Sequence, residues 1–112
     1  MSKVVHVEGD SLNKIQIDDN TVLSNYGFIC DDFDLITIEV SGYHGKFKNS
    51  LNDKMYYVTD GVINITADDK EYNLSKGDFM KISKNTIHEI KGNGKTIVIC
   101  NPIFNPEFEE VL

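Results

Sequence analysis

Residues 54–88 read KMYYVTDGVINITADDKEYNLSKGDFMKISKNTIH. An apolar run through Tyr56, Tyr57 and Val58 meets Asp60-Gly61, and an alternating run follows from Val62 to Ala67. The acidic pair Asp68-Asp69, a short second run, Gly77-Asp78, a third run containing Met80 and Ile82, and a loop ending on His88 complete the stretch. Asp-Gly and Gly-Asp pairs between short alternating segments are hairpin chemistry, because these residues accept positive backbone angles or bond their own backbone. The stretch therefore predicts antiparallel strands bending at Asp60-Gly61, Asp68-Asp69 and Gly77-Asp78.

Outward from this segment the same period recurs. On the N-terminal side, Asp34 to Val40 alternates, with Ile36, Ile38 and Val40 on one face of a strand that starts at Phe33. Before it, residues 14–17 and 21–23 read as two strands around an Asp18-Asp19-Asn20 turn, and residues 3–7 as a first strand ended by Glu8-Gly9-Asp10. On the C-terminal side, Gly92-Asn93-Gly94 reads as a hairpin turn. Residues 106–111 begin with Pro106 followed by acidic residues, which suits a helix start. No other stretch has helical periodicity.

A chain of 112 residues with 40% hydrophobic content supports one domain and one core. The net charge is −7, and all eleven basic residues are lysine. Such a surface repels a polyphosphate backbone and lacks the forked guanidinium that grips bases and phosphates, so nucleic acid is not an expected partner. No long apolar window and no leader pattern is present, which gives the expectation of a cytoplasmic, membrane-free protein. Cys30 and Cys100 stand far apart without a Cys-x-x-Cys motif and are expected to stay reduced.

The Gly61 that follows Tyr56-Tyr57-Val58, the Gly77-Asp78 pair that opens a second motif, and His88 at that motif's histidine resemble the cupin family. The resemblance spans the middle and C-terminal two thirds of the chain. It implies an all-β fold, a double-stranded β-helix or jelly-roll barrel with few or no helices. Residues 1–112 then form one domain, with a family-type core over residues 30–104 and N-terminal strands over residues 1–29. It also implies a divalent-metal site of a His-x-His pair, a Glu and the second-motif His. Lys48 and Ser50 stand where the pair is expected, Lys54 stands where the Glu is expected, and only His88 matches. An ammonium offers no lone pair to a metal, so no metal or other cofactor is expected.

If the two-residue period continues unbroken from Ile36, then His44, Lys46, Lys48 and Ser50 turn inward with it, and Lys54, Tyr56 and His88 join them above an apolar floor. A bulge at Gly42 or Gly45 would flip part of this register. The ligand-binding candidates are Lys46, Lys48, Ser50, Lys54, Tyr56 and His88, and the catalytic candidates are His88, His44 and Tyr56. Nearby ammonium groups are expected to lower the His88 pKa. Lysines around a cavity suit a small anionic metabolite, a carboxylate or sugar-like acid, bound without metal. The alternatives are an isomerase, epimerase or metal-dependent oxygenase working through His88 or His44, and a structural or regulatory subunit. A homodimer built on the first strand is also expected, since short strands leave sheet edges to be paired.

Overall fold

The computed structural model describes residues 4–112. Among these described residues eight strands form one antiparallel system: β1 (Lys14–Asp18), β2 (Thr21–Asn25), β3 (Asp34–Asn49), β4 (Asp53–Ala67), β5 (Lys70–Ser75), β6 (Phe79–Ile82), β7 (His88–Asn101) and β8 (Glu109–Val111). The sheet order is β1-β2-β3-β7-β4-β5, with β6 on β4 and β8 on β3. Three strands are very long, and each serves two neighbourhoods. β4 pairs with β6 through residues 54–57 and with β5 through residues 62–67. β3 pairs with β2 through residues 36–40 and with β8 through residues 47–49. β7 lies between β3 and β4 along its whole length.

Side-chain parity shows how one strand serves both ends of the barrel. On β7 the even residues His88, Ile90, Thr96, Val98 and Cys100 are buried from end to end. On β4 the even residues Lys54, Tyr56 and Val58 are buried first, then the odd residues Ile63, Ile65 and Ala67. The change follows a bulge between Val58 and Asp60, where one extra residue turns the following side chains to the opposite face. β3 does the same: Ile38 and Val40 are buried before a bulge between Tyr43 and Gly45, and Asn49 after it. Together the buried apolar residues form one core inside the barrel.

Two of the expected turns are therefore not turns. Asp60-Gly61 sits at the β4 bulge, and Gly92-Asn93-Gly94 lies inside β7. These glycines face one another where β4 and β7 press together. A Cβ on Gly61 would run into the Asn93 carbonyl, and one on Gly92 into the Val62 carbonyl. The local pattern that signals a hairpin here marks a close approach of two backbones. The turn at Asp68-Asp69, with both residues at positive φ, and the one at Gly77-Asp78 stand as expected.

Both ends of the chain also differ from the sequence reading. Residues 4–8 lie in no strand, and Lys3 falls outside the described residues. Val4 and Val5 are exposed, so the weak alternation there has no apolar face to bury. The tail makes one 3-10 turn, Pro106–Phe108, capped by the Asn105 side chain accepting the Glu107 N–H, and then pairs with β3 as β8 instead of continuing as a helix. Among the described residues no helix is long and apolar enough to cross a membrane.

Candidate functional site

The barrel encloses a cavity of about 380 Å3. Its floor is apolar, made by Ile36 and Ile38 of β3, Val98 and Cys100 of β7, and Ile17 and Leu23 of the first hairpin. The rings of Phe47, Tyr56 and Phe104 stand in its wall, and Asn25, Asp34, His44, Lys54 and Glu109 supply the polar groups. An apolar body with a few converging polar groups is the ordinary build of a small-molecule site.

His44 is placed by the bulge in β3, which keeps it on the cavity side. Its Nδ1 donates to Asp18 Oδ2 at 2.7 Å, and Thr21 Oγ1 lies 3.0 Å from the same nitrogen. Burial pushes the Asp18 carboxyl up, but hydrogen bonds from His44, the Asn20 N–H and Thr21 outweigh it and hold the group below its ordinary value. A carboxylate on Nδ1 fixes the imidazole tautomer and leaves Nε2 as the proton-accepting nitrogen. The Phe47 ring packs on the imidazole with centroids 4.9 Å apart.

Lys54 is 8% exposed, far more buried than a lysine usually is. Its Nζ donates to both carboxylate oxygens of Glu109, at 2.7 and 2.9 Å. Tyr56, two residues on, is buried beside it, and burial pushes its hydroxyl well above the ordinary phenol range. Asp34 pairs with Cys100 from the β3 side, as Lys54 does from the β4 side, and its Oδ2 accepts the Phe104 N–H at 2.7 Å. Burial raises the Cys100 thiol to about 11.

His88 is 2% exposed and lies beyond the rings of Phe47 and Tyr56, with centroids 6.0 and 6.4 Å away. Its Nδ1 donates to the Thr86 carbonyl at 3.0 Å, and among the described residues Nε2 has no hydrogen-bond partner. Its pKa is lowered, first by burial and only then by Lys54 and His44, while the Thr86 carbonyl and Glu109 pull it back up. The direction is the expected one, but desolvation leads and the neighbouring ammonium is secondary.

Of the six ligand-binding candidates, Lys54 and Tyr56 line the cavity and His88 lies behind it. Lys46, Lys48 and Ser50 do not line it. Past the bulge the inward positions are Phe47 and Asn49, so these three face outward: Lys46 lies near Asp68, Asp69 and Glu89, and Lys48 and Ser50 lie near the tail. Of the catalytic candidates, His44 and Tyr56 are in the wall. Sequence reasoning missed Asp18, Asp34, Phe104 and Glu109, which reach the site only through pairings distant in sequence. Asp18 had a local signal, since its side chain caps the β1-β2 turn by accepting the Asn20 N–H.

The metal implied by the resemblance does not fit these residues. Lys48 and Ser50 point away, the Lys54 ammonium fills the carboxylate position and is bound to Glu109, and among the described residues no three His, Cys, Asp or Glu side chains gather.

A small antiparallel barrel with a ligand-sized cavity between its long strands defines the class. The cupin domain model matches residues 35–102, and the chain belongs to the cupin family. Among solved structures, a Tyr→Phe variant of Streptomyces PAC13 with uridine aligns with a TM-score of 0.89 at 18% identity, covering 100% of this chain and 92% of that one. PAC13 is described as a nucleoside dehydratase. KdgF from Halomonas sp. aligns at 0.78 with 14% identity, covering 88% and 94%. An RmlC-like cupin from Shewanella frigidimarina aligns at 0.74 with 17% identity, covering 91% and 95%. At these identities the likeness is one of fold. No curated protein matches the sequence.

Proposed function

We propose that the protein binds a small, neutral, hydroxyl-bearing molecule of nucleoside or sugar type in the barrel, and that His44 acts on it as a general base. The observation that carries this reading is the His44–Asp18 pair in the cavity wall, bonded at 2.7 Å through Nδ1. That bond directs the basic Nε2 lone pair away from Asp18, the arrangement that proton abstraction requires. The apolar floor and the Phe47 and Phe104 rings suit a flat or ring-shaped ligand body, and Asn25 and Asp34 suit its hydroxyl groups. A neutral ligand replaces the anion expected from sequence, because the lysine cluster behind that expectation does not face the cavity and Lys54 is already neutralised by Glu109. The fold likeness to a uridine-bound nucleoside dehydratase agrees with a ligand of this size and with elimination or isomerisation chemistry.

The test is a thermal-shift screen of uridine, other nucleosides and neutral sugars against wild type and His44→Gln, followed by proton NMR of each binder in D2O. Stabilisation of both proteins, with exchange of a ligand C–H in wild type only, is the expected result. Stabilisation by anions but by no neutral compound would sink the reading.

A further inference from the structure

The strand that brings Glu109 to Lys54 is three residues long, yet it is held to β3 from the residue before its start to the residue past its end. Phe47, Lys48 and Asn49 pair with Val111, Glu110 and Glu109, the Ser50 N–H donates to the Phe108 carbonyl at 3.1 Å, and the Leu112 N–H donates to the Lys46 carbonyl at 2.9 Å. This fixes the Glu109 carboxylate against the ammonium, with the two side chains 15% and 10% exposed. Lys54 is the one lysine among the described residues that line the cavity. Its Nζ sits 5.6 Å from the centre of the Phe47 ring and 5.7 Å from that of Phe104. Without Glu109, such a desolvated ammonium would present its donors to any anionic group entering the barrel. With Glu109 in place, two of the three donors are engaged and the charge is paired. The Asp34 carboxyl group in the wall then meets an incoming anion with like charge.

We infer that Glu109 is the specificity-determining residue for ligand charge: by neutralising Lys54 it makes the cavity accept uncharged molecules and reject their phosphorylated or carboxylated counterparts. This rests on the neutral-ligand reading above and adds the residue that enforces it. It also gives the tail a role in the site that strand pairing alone does not require.

The test measures inorganic phosphate binding to wild type, Glu109→Gln and the double variant Lys54→Met/Glu109→Gln, by calorimetry and by melting temperature. Phosphate is expected to bind E109Q at least about ten-fold more tightly than wild type, the scale of a charge-assisted hydrogen bond, and the double variant is expected to lose that gain. If E109Q shows no cooperative melt in buffer, phosphate should restore one, since a ligand that binds only the folded chain draws the equilibrium toward it. Equal phosphate affinity in wild type and E109Q, a gain that persists in the double variant, or an E109Q that stays unfolded in saturating phosphate overturns the inference. A wild type indifferent to every neutral probe, alongside an E109Q that still gains phosphate, would fault the neutral-ligand reading and leave the charge filter standing.

Discussion

Replacing His88 by leucine should stabilise the protein, and more so in acid than at neutral pH. The ring is 2% exposed, and its Nε2 meets no protein donor or acceptor among the described residues. A buried polar atom left in that state costs about 1–3 kcal/mol, and leucine removes the cost while keeping a side chain of similar size. The change also removes the Nδ1 bond to the Thr86 carbonyl, worth about 1 kcal/mol. The net gain near neutrality is then about 1 kcal/mol, or about 4 °C in melting temperature for a domain of this length. Acid adds to it. The folded pKa of His88 lies below the ordinary 6.5, so on acidification the unfolded chain takes up the proton first and unfolding is favoured. Each pH unit below about 6.5 in which the folded ring stays neutral costs wild type about 1.4 kcal/mol, and the leucine variant has no such loss. Circular-dichroism melts of both proteins at about pH 7.5 and about pH 5.5 read the two effects. A variant less stable than wild type by about 2 kcal/mol or more, with the same gap at both pH values, would show that Nε2 makes a favourable bond in the folded protein and refute the reasoning.

Three further outcomes are expected. Gly92→Ala drives a methyl into the Val62 carbonyl where β4 and β7 touch, and should cost about 2 kcal/mol or more in urea unfolding; a change below about 0.5 kcal/mol would mean the strands separate there at little cost. Cys100, with its thiol raised to about 11, should resist a thiol reagent at pH 8 in the native protein and react only on unfolding, as a timed absorbance assay would show. Asp18 has a folded pKa lowered from 3.8, so the stability it contributes is present above that value and is lost below it, as pH falls through the lower folded pKa; Asp18→Asn should flatten the melting-temperature profile below about pH 4, and an unchanged slope there would place the acid sensitivity elsewhere.

Strand identity was legible because it is written locally. The Ile36, Ile38 and Val40 alternation, the Asp68-Asp69 and Gly77-Asp78 turns, and Tyr56 facing inward all follow from short-range pattern. The inward set beyond Tyr43 was not legible. One extra residue at His44 exchanges Lys46, Lys48 and Ser50 for Phe47 and Asn49, and that bulge is set by the pairing of β3 with β7 some fifty residues on. At Gly61 and Gly92 the turn signal was real as chemistry but served a different purpose, the close approach of two strands. Glu109 had no local sign at all. A glutamate in an acidic tail looks like solvated surface until β8 docks on β3 and carries it to Lys54.

The central position of β7 bears on how the molecule comes apart. β7 is paired with β3 on one side from His88 to Cys100 and with β4 on the other from His88 to Asn101, and the bulges let those two partners run unbroken from one end of the barrel to the other. No hairpin that includes β7 can peel away while the rest keeps its structure, because every break in its ladder opens both of the other long strands. Its amides should therefore exchange with solvent only through complete unfolding, while β1, the outer edge of the sheet with all but one of its residues exposed, opens on its own at far lower free energy. Hydrogen exchange would then divide the chain into a frayed margin and an interlocked centre, and the wall of the ligand cavity is built from both.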